Sequence, residues 1–297
     1  FLAPESNLHL QFAYYQSSLV VEHLTERFGL EAIRNILKDL GDGVEINAAI
    51  AKHTEPLDKL ETAFRAYAVA KAKALAPELD WTKPDPETLR TGVEEFAKKH
   101  PKNFYLLVRQ ARRALNDKDW EAVKAPCKEL IKLFPHQTRG DGNPYVMLAR
   151  AQRELEEYQA ERQTLETLAA MADDAYPIFQ RLTELAAEQK DWEAVRLNCE
   201  RVLAVNPLLP DTHRHLAMAA EALNDAPQAI ESWQTLLRLD PLDPAEANYR
   251  LARLLREPDN PRAKRHLLMA LEEAPRFREA LKLLLDWETT EGKLDKK

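Results

Sequence analysis

Eight histidines and two cysteines are the side chains most able to hold a metal or attack a substrate, and their spacing decides whether they can. His213 and His215 stand two residues apart, which on a helix aims them about 200° apart and away from a shared ion. His23 lies between Glu22 and Glu26, two carboxylates that share a helical face, as they do on any amphipathic helix. No histidine opens the His-Glu-x-x-His of a zinc helix: His23 precedes Leu-Thr-Glu-Arg and His53 precedes Thr-Glu-Pro-Leu. Cys127 and Cys199 have neither a second Cys nor a His at ligand spacing and are expected to be small core residues. Tyr14, Tyr15, Gln16 and Ser17 form a polar-aromatic cluster in which a tyrosine is expected to pack in the core with its hydroxyl satisfied. These patterns predict no catalytic residue, no metal site and no cofactor. The chemistry that recurs is arginine, whose planar guanidinium matches a carboxylate with two parallel hydrogen bonds.

The elements that must position these side chains are helices. Only 7 of the 297 residues are glycine, against about 21 at the usual share of roughly 7%. That shortage argues against glycine-turned hairpins and phosphate-cradling loops. The net charge of −7, from 42 basic and 49 acidic residues, disfavours nucleic acid as a partner. No stretch approaches the roughly 20 apolar residues of a membrane-spanning helix. The chain opens on Phe1 rather than Met, so a fragment or processed product is expected.

An internal repeat organises most of the chain. Pro207, Pro241 and Pro275 close helical segments at a period of 34 residues, and Pro135 lies 72 before Pro207, room for one longer unit. Lys118-Asp119-Trp120-Glu121-Ala122-Val123 recurs as Lys190-Asp191-Trp192-Glu193-Ala194-Val195, with Glu157-Tyr158-Gln159-Ala160 at the equivalent place between them. This pattern resembles the tetratricopeptide repeat (TPR). Its small first-helix position falls on Ala111, Ala149, Ala217 and Ala252, with Thr183 in the third unit. The second-helix position falls on Val123, Val195, Ala229 and Ala263, with Glu161 departing in the second unit. The fourth turn reads Asn224-Asp225-Ala226-Pro227 and the fifth Pro258-Asp259-Asn260-Pro261. The turn position that usually carries glycine is expected at Lys118, Glu157 and Lys190.

The resemblance implies an all-α fold, a right-handed superhelical solenoid. A half-repeat at 84–102 precedes five units over 103–275, and a covering helix at 276–290 carries Phe277, Ala280, Leu281, Leu284, Leu285 and Trp287. A lone helical hairpin cannot bury its apolar face, so each unit relies on its neighbours. The first-helix stripe left over is expected to line a concave groove. It comprises Tyr105, Val108 and Arg112; Val146, Arg150 and Arg153; Gln180 and Glu184; Arg214 and Met218; then Tyr249, Arg253 and Arg256. The binding set expected there is Tyr105, Arg112, Arg150, Arg153, Arg214, Met218, Tyr249, Arg253 and Arg256. Glu154, Glu157 and Glu257 stand four residues beyond Arg150, Arg153 and Arg253, so intrahelical pairs compete for these charges.

Residues 1–83 lack the 34-residue period. Helices are expected from Leu8 to Phe28, ended by Gly29; from Glu31 to Leu40, ended by Gly41; and over 46–53 and 56–76. Asp85-Pro86-Glu87 opens another that runs to His100-Pro101. The run from Ala13 to Leu24, with Phe28-Gly29 and Leu37-Lys38-Asp39-Leu40-Gly41-Asp42-Gly43, resembles the C-terminal tail of gluzincin-type metallopeptidase-like domains, without the zinc helix. Two functions follow as expectations. One is a non-catalytic scaffold that binds another protein or a peptide, an acidic one suiting the arginines. The other is the substrate-recruiting part of a bacterial zinc metallopeptidase whose catalytic half lies upstream.

Overall fold

The computed structural model describes residues 6–140, 142–172, 175–256 and 260–294, and every named element among them is a helix. No described helix is long and apolar enough to cross a membrane. Contacts gather the chain into two compact bodies, Phe1–Phe104 and Tyr105–Lys297, whereas the sequence reading draws its boundary after residue 83.

The first body holds α1 (Asn7–Gly41), α2 (Ile46–His53), α3 (Leu57–Leu75), α4 (Pro86–Thr91) and α5 (Val93–Lys99). Ser6 starts α1 by accepting a hydrogen bond from the His9 amide. Gly29 breaks it with φ 78° and ψ 167°, so the expected stop is a kink between two helical stretches. Gly41, expected in the left-handed conformation, is instead the last helical residue of α1, and Gly43 takes that conformation at φ 83°. Leu24, Ala32, Ile36, Ala49 and Leu60 form the buried face of α1–α3. Asp85 caps α4 by accepting from the Thr88 amide at 2.8 Å. The helix expected to continue to His100 is divided at Gly92, which ends α4 and begins α5, as the low helix propensity of glycine allows. Residues 76–84 are clasped from behind: the Asp80 amide donates to Lys102 and Asp80 accepts from the Phe104 amide. The Thr82 hydrogen bonds and the His100 ring hold the Asp80 carboxyl down to about 2.

The second body is the repeat array. Its units are α6 (Phe104–Asn116, beginning at the last residue of the first body) with α7 (Trp120–Leu133), and α8 (Pro144–Glu154) with α9 (Tyr158–Ala169). They continue with α10 (Tyr176–Glu188) and α11 (Trp192–Val205), α12 (Pro210–Ala222) and α13 (Ala226–Arg238), and α14 (Ala245–Leu254) and α15 (Pro261–Glu273). Helix α16 (Arg278–Leu294) follows, longer and later than the expected 276–290. The turn Pro258-Asp259 lies outside the described residues. Ala111, Ala149, Thr183, Ala217 and Ala252 are all buried, as small residues must be where helices approach closely. So are Cys127, Leu165, Cys199, Trp233 and Leu267, one per second helix. Burial pushes both cysteine thiols up to about 12. Core layers join successive helices: Ala111 and Ala114 of α6, Val123 and Cys127 of α7, and Met147, Leu148 and Ala151 of α8 pack together.

Four turns inside the units share one backbone device. Lys118, Glu156, Lys190 and Asn224 take φ of 57°, 58°, 57° and 60°. The second of these corrects the sequence register, which places Glu157 there. Glu157 is the cap of α9, as Asp119, Asp191 and Asp225 are of their helices.

Candidate functional site

The arginines of the first helices fall into two groups. Arg112, Arg150 and Arg253, with Arg256, which falls two residues beyond the end of α14 rather than on it, are exposed and form no ion pair among the described residues. Arg150 lies over the Trp120 ring at 5.7 Å rather than pairing with Glu154. Arg253 lies over the Tyr249 ring at 5.8 Å, and Glu257 is outside the described residues. Arg214 is half-buried, with its Nε enclosed and unpaired.

Arg153 behaves differently and corrects the expected pairing with Glu157. Its Nε donates to Glu161 Oε1 at 2.8 Å, while Arg181 donates from Nε and Nη2 to the same carboxylate at 2.9 Å each. Glu161 is 0% exposed. Burial pushes its carboxyl up, but the hydrogen bonds and charges of Arg181 and Arg153 outweigh that and hold it below the ordinary value. Arg181 was missed because it lies 20 residues from Glu161, on α10.

Two apolar members of the expected set, Met218 and Tyr249, are anchored to the core beneath them. Met218 packs against the cluster of Ala217, Trp233 and Leu251. Tyr249 packs beside Phe277 at 4.9 Å between ring centroids, and Tyr105 is exposed at the edge of α6. A cleft of about 790 Å³ opens beside Tyr249 and Phe277, lined also by Asp243, Glu246, Arg250, Arg276 and Glu279. Arg250 is committed to Glu221 and Glu246, both at 3.3 Å, and Glu221 also accepts from the Trp233 indole at 2.8 Å. This cleft is not legible in the sequence because its walls come from α14 and the turn before α16, about 30 residues apart. The recurrence of aromatic side chains at 249 and 277 is its one sequence signal.

Two ion pairs between units were also missed. Lys124, one residue after Val123, reaches the α9 cap Glu157 at 2.7 Å, and Arg162, one residue after Glu161, reaches the α11 cap Asp191 at 2.7 Å. A basic residue at that fixed offset, with an acid at the next turn, is the legible signal.

The remaining sequence candidates are accounted for locally. His213 Nε2 hydrogen-bonds the Pro207 carbonyl at 2.9 Å, and His215 Nδ1 hydrogen-bonds that of Asp211 at 2.8 Å. His23 is buried against Phe64 and Tyr67, its Nε2 unpaired, while Glu22 pairs with Lys71 at 2.7 Å. Among the described residues no three His, Cys, Asp or Glu side chains gather as a metal would require. The expectation that Tyr14 or Tyr15 packs in the core is overturned: they are 70% and 60% exposed, beside exposed Phe12 and Val21. Along α1, Ala13, Ser17 and Val20 are partly covered and His23 and Leu24 buried, whereas Tyr14 and Tyr15 lie on the exposed side.

No family model and no curated protein matches the chain. The metallopeptidase-tail resemblance of residues 1–83 therefore gains no relative. Solved structures do match. YrrB, a TPR protein with an unusual peptide-binding site, aligns with a TM-score of 0.51 at 13% identity over 64% of this chain and 96% of that one. A tetratricopeptide repeat protein from Parabacteroides merdae aligns at 0.46 and 14% identity over 64% of this chain and 74% of that one. A MamA protein aligns at 0.45 and 13% identity over 60% and 90%. The fold is the all-α solenoid of tetratricopeptide repeats.

Proposed function

We propose that this chain is a non-catalytic interaction scaffold that holds a peptide or helix of another protein, acidic in character, along the first-helix stripe of its array. One observation carries the reading. Arg112, Arg150, Arg214, Arg253 and Arg256 have no carboxylate partner among the described residues, in a chain with more acids than bases. Arginine left unpaired amid surplus carboxylates favours a carboxylate ligand from outside. The peptide-binding site named for YrrB supports the choice of ligand class on this fold. Magnitudes limit what charge alone supplies. An exposed ion pair contributes up to about 1 kcal/mol, whereas micromolar binding takes about 8 kcal/mol, so apolar contacts must provide most of the affinity.

An array of acidic, neutral and basic peptides probed with the intact chain tests this reading. Acidic peptides bind best, and reversing Arg112, Arg150, Arg253 and Arg256 to Glu abolishes that preference while the fold persists. Arg153 is left alone because it holds Glu161. An unchanged preference in the reversed variant sinks the proposal.

A further inference from the structure

Helix α16 is built like the first helix of another repeat unit. Along α14 and its C-cap the inward residues Asn248, Leu251, Ala252 and Leu255 follow a spacing of three, one and three; in α16 Ala280, Leu283, Leu284 and Trp287 repeat it, each turned toward the array. That register matches Tyr249 with Leu281 and Arg253 with Leu285. Where the earlier helices present arginine or tyrosine, α16 presents two exposed leucines, Leu285 at 63%. A helix that merely ends a solenoid needs a polar outer face. Phe277, Leu281 and Leu285 stand four residues apart and so continue one apolar row from the 790 Å³ cleft.

Of the cleft's five charged residues, Arg276 and Glu279 form no ion pair among the described residues and are of opposite sign, and the other three are committed. Asp243 accepts from the Ala245 amide at 3.1 Å, and Glu246 is tied to Arg250. Its floor is the Tyr249–Phe277 pair, and Arg253 lies over the Tyr249 ring, placing a cation beside an apolar socket. We infer that this cleft seats a large apolar side chain, phenylalanine, tryptophan or leucine, of an acidic segment of another protein. Leu281 and Leu285 carry the segment's next apolar contact, and its carboxylates turn back toward Arg253. The inference rests on the stripe being the binding face and supplies the apolar energy that the arginines cannot. An aromatic anchor seated there accounts for about 10- to 100-fold in affinity.

Selection of a random phage-displayed peptide library on the intact chain tests it. The expected consensus is a large apolar residue with Asp or Glu beside it. A synthetic peptide of that consensus binds about 10- to 100-fold tighter than its twin with alanine at the anchor. Phe277→Ala brings the twins together while keeping the acidic preference. Because Phe277 also packs on the core, Leu285→Glu, a change at an exposed site, is the second variant, and it weakens the anchored peptide without shifting the melting temperature. Acidic peptides with no apolar anchor overturn the inference and leave the proposed function standing. Apolar anchors flanked by Lys or Arg, or by no charge, overturn both, as does a selection with no consensus.

Discussion

The second and third repeat units follow one plan, yet the second closes its core with a glutamate where the third uses a valine. The exchange is not isolated. Around Val123 in the first unit the neighbouring positions are Leu115 and Met147, which pack with it in one apolar cluster. Around Val195 they are Ala187 and His215, and around Glu161 they are Arg153 and Arg181. One repeat position therefore accepts a charge when both flanking first helices supply the counter-charge. Burying an unpaired carboxylate costs several kcal/mol, whereas two guanidiniums in hydrogen-bonding geometry satisfy it. The fourth unit uses half of the device: Glu221 and Arg250 pair across the joint, over a small Ala229. Such joints link successive units by directional bonds as well as by packing.

The largest effect expected from breaking the comparison is Val195→Glu. It buries a carboxylate where Ala187 and His215 stand in place of the two arginines, and a loss of about 3–5 kcal/mol is expected from urea unfolding. Adding Ala187→Arg and His215→Arg rebuilds the second unit's arrangement and recovers most of the loss. A cost for Val195→Glu alone below about 1 kcal/mol would mean that the position is not sealed, and the comparison fails.

Glu161→Ala follows, at about 2–4 kcal/mol, below the upper range for a broken buried pair because Arg181 keeps Glu184 at 2.8 Å. Replacing Arg153, Glu161 and Arg181 together by Leu, Val and Met, the residues Leu115, Val123 and Met147 found at the equivalent places one unit earlier, is expected to be neutral or stabilising. The parent and the triple variant differ in acid. The Glu161 carboxyl is held below its ordinary 4.5 in the folded chain, so its contribution is complete above that value and fades as pH falls through the lowered one. The triple variant loses less stability than the parent between neutral pH and that region. Equal acid sensitivity would show that Glu161 is not ionised in the fold.

How much of this was legible follows from where each signal resides. Prolines at 207, 241 and 275, alanines at the close approaches and the Lys-Asp-Trp-Glu-Ala-Val runs are local, and the period makes them add, so the solenoid and its five units are readable. Glu161 was recognisable as a departure, but its partners were not, because Arg181 is local to a different helix. Glu157, the carboxylate four residues beyond Arg153 and the one expected to pair with it, in fact receives Lys124. The cleft at Tyr249 and Phe277 is a product of packing between helices, which periodicity does not report. In the first body no repeat multiplies the signal. Its helices were readable from their caps, but the exposure of Tyr14 and Tyr15 depends on which face of α1 meets α2 and α3, and one amphipathic helix read alone does not decide that.

The smallest expected effect distinguishes the turns by residue type. Lys118, Glu156, Lys190 and Asn224 hold the same left-handed conformation, which costs an L-residue roughly 1–2 kcal/mol, while glycine adopts it freely but loses about 0.5–1 kcal/mol more entropy on folding. Each of Lys118→Gly, Glu156→Gly and Lys190→Gly should therefore gain a few tenths to about 1 kcal/mol, or up to about 4 °C in melting temperature for an array of this size. Asn224→Gly should gain least, because asparagine tolerates this conformation better than lysine or glutamate. The graded response also tests the corrected register of the second unit. Glu157→Gly at the cap, where φ is −82°, should destabilise by removing the carboxylate that receives Lys124, while Glu156→Gly one residue earlier stabilises. Opposite signs at adjacent residues would establish that the second unit turns in register with the first and third despite its longer loop, and that its exceptional core is the glutamate's doing rather than a slipped helix; equal signs would return Glu157 to the turn.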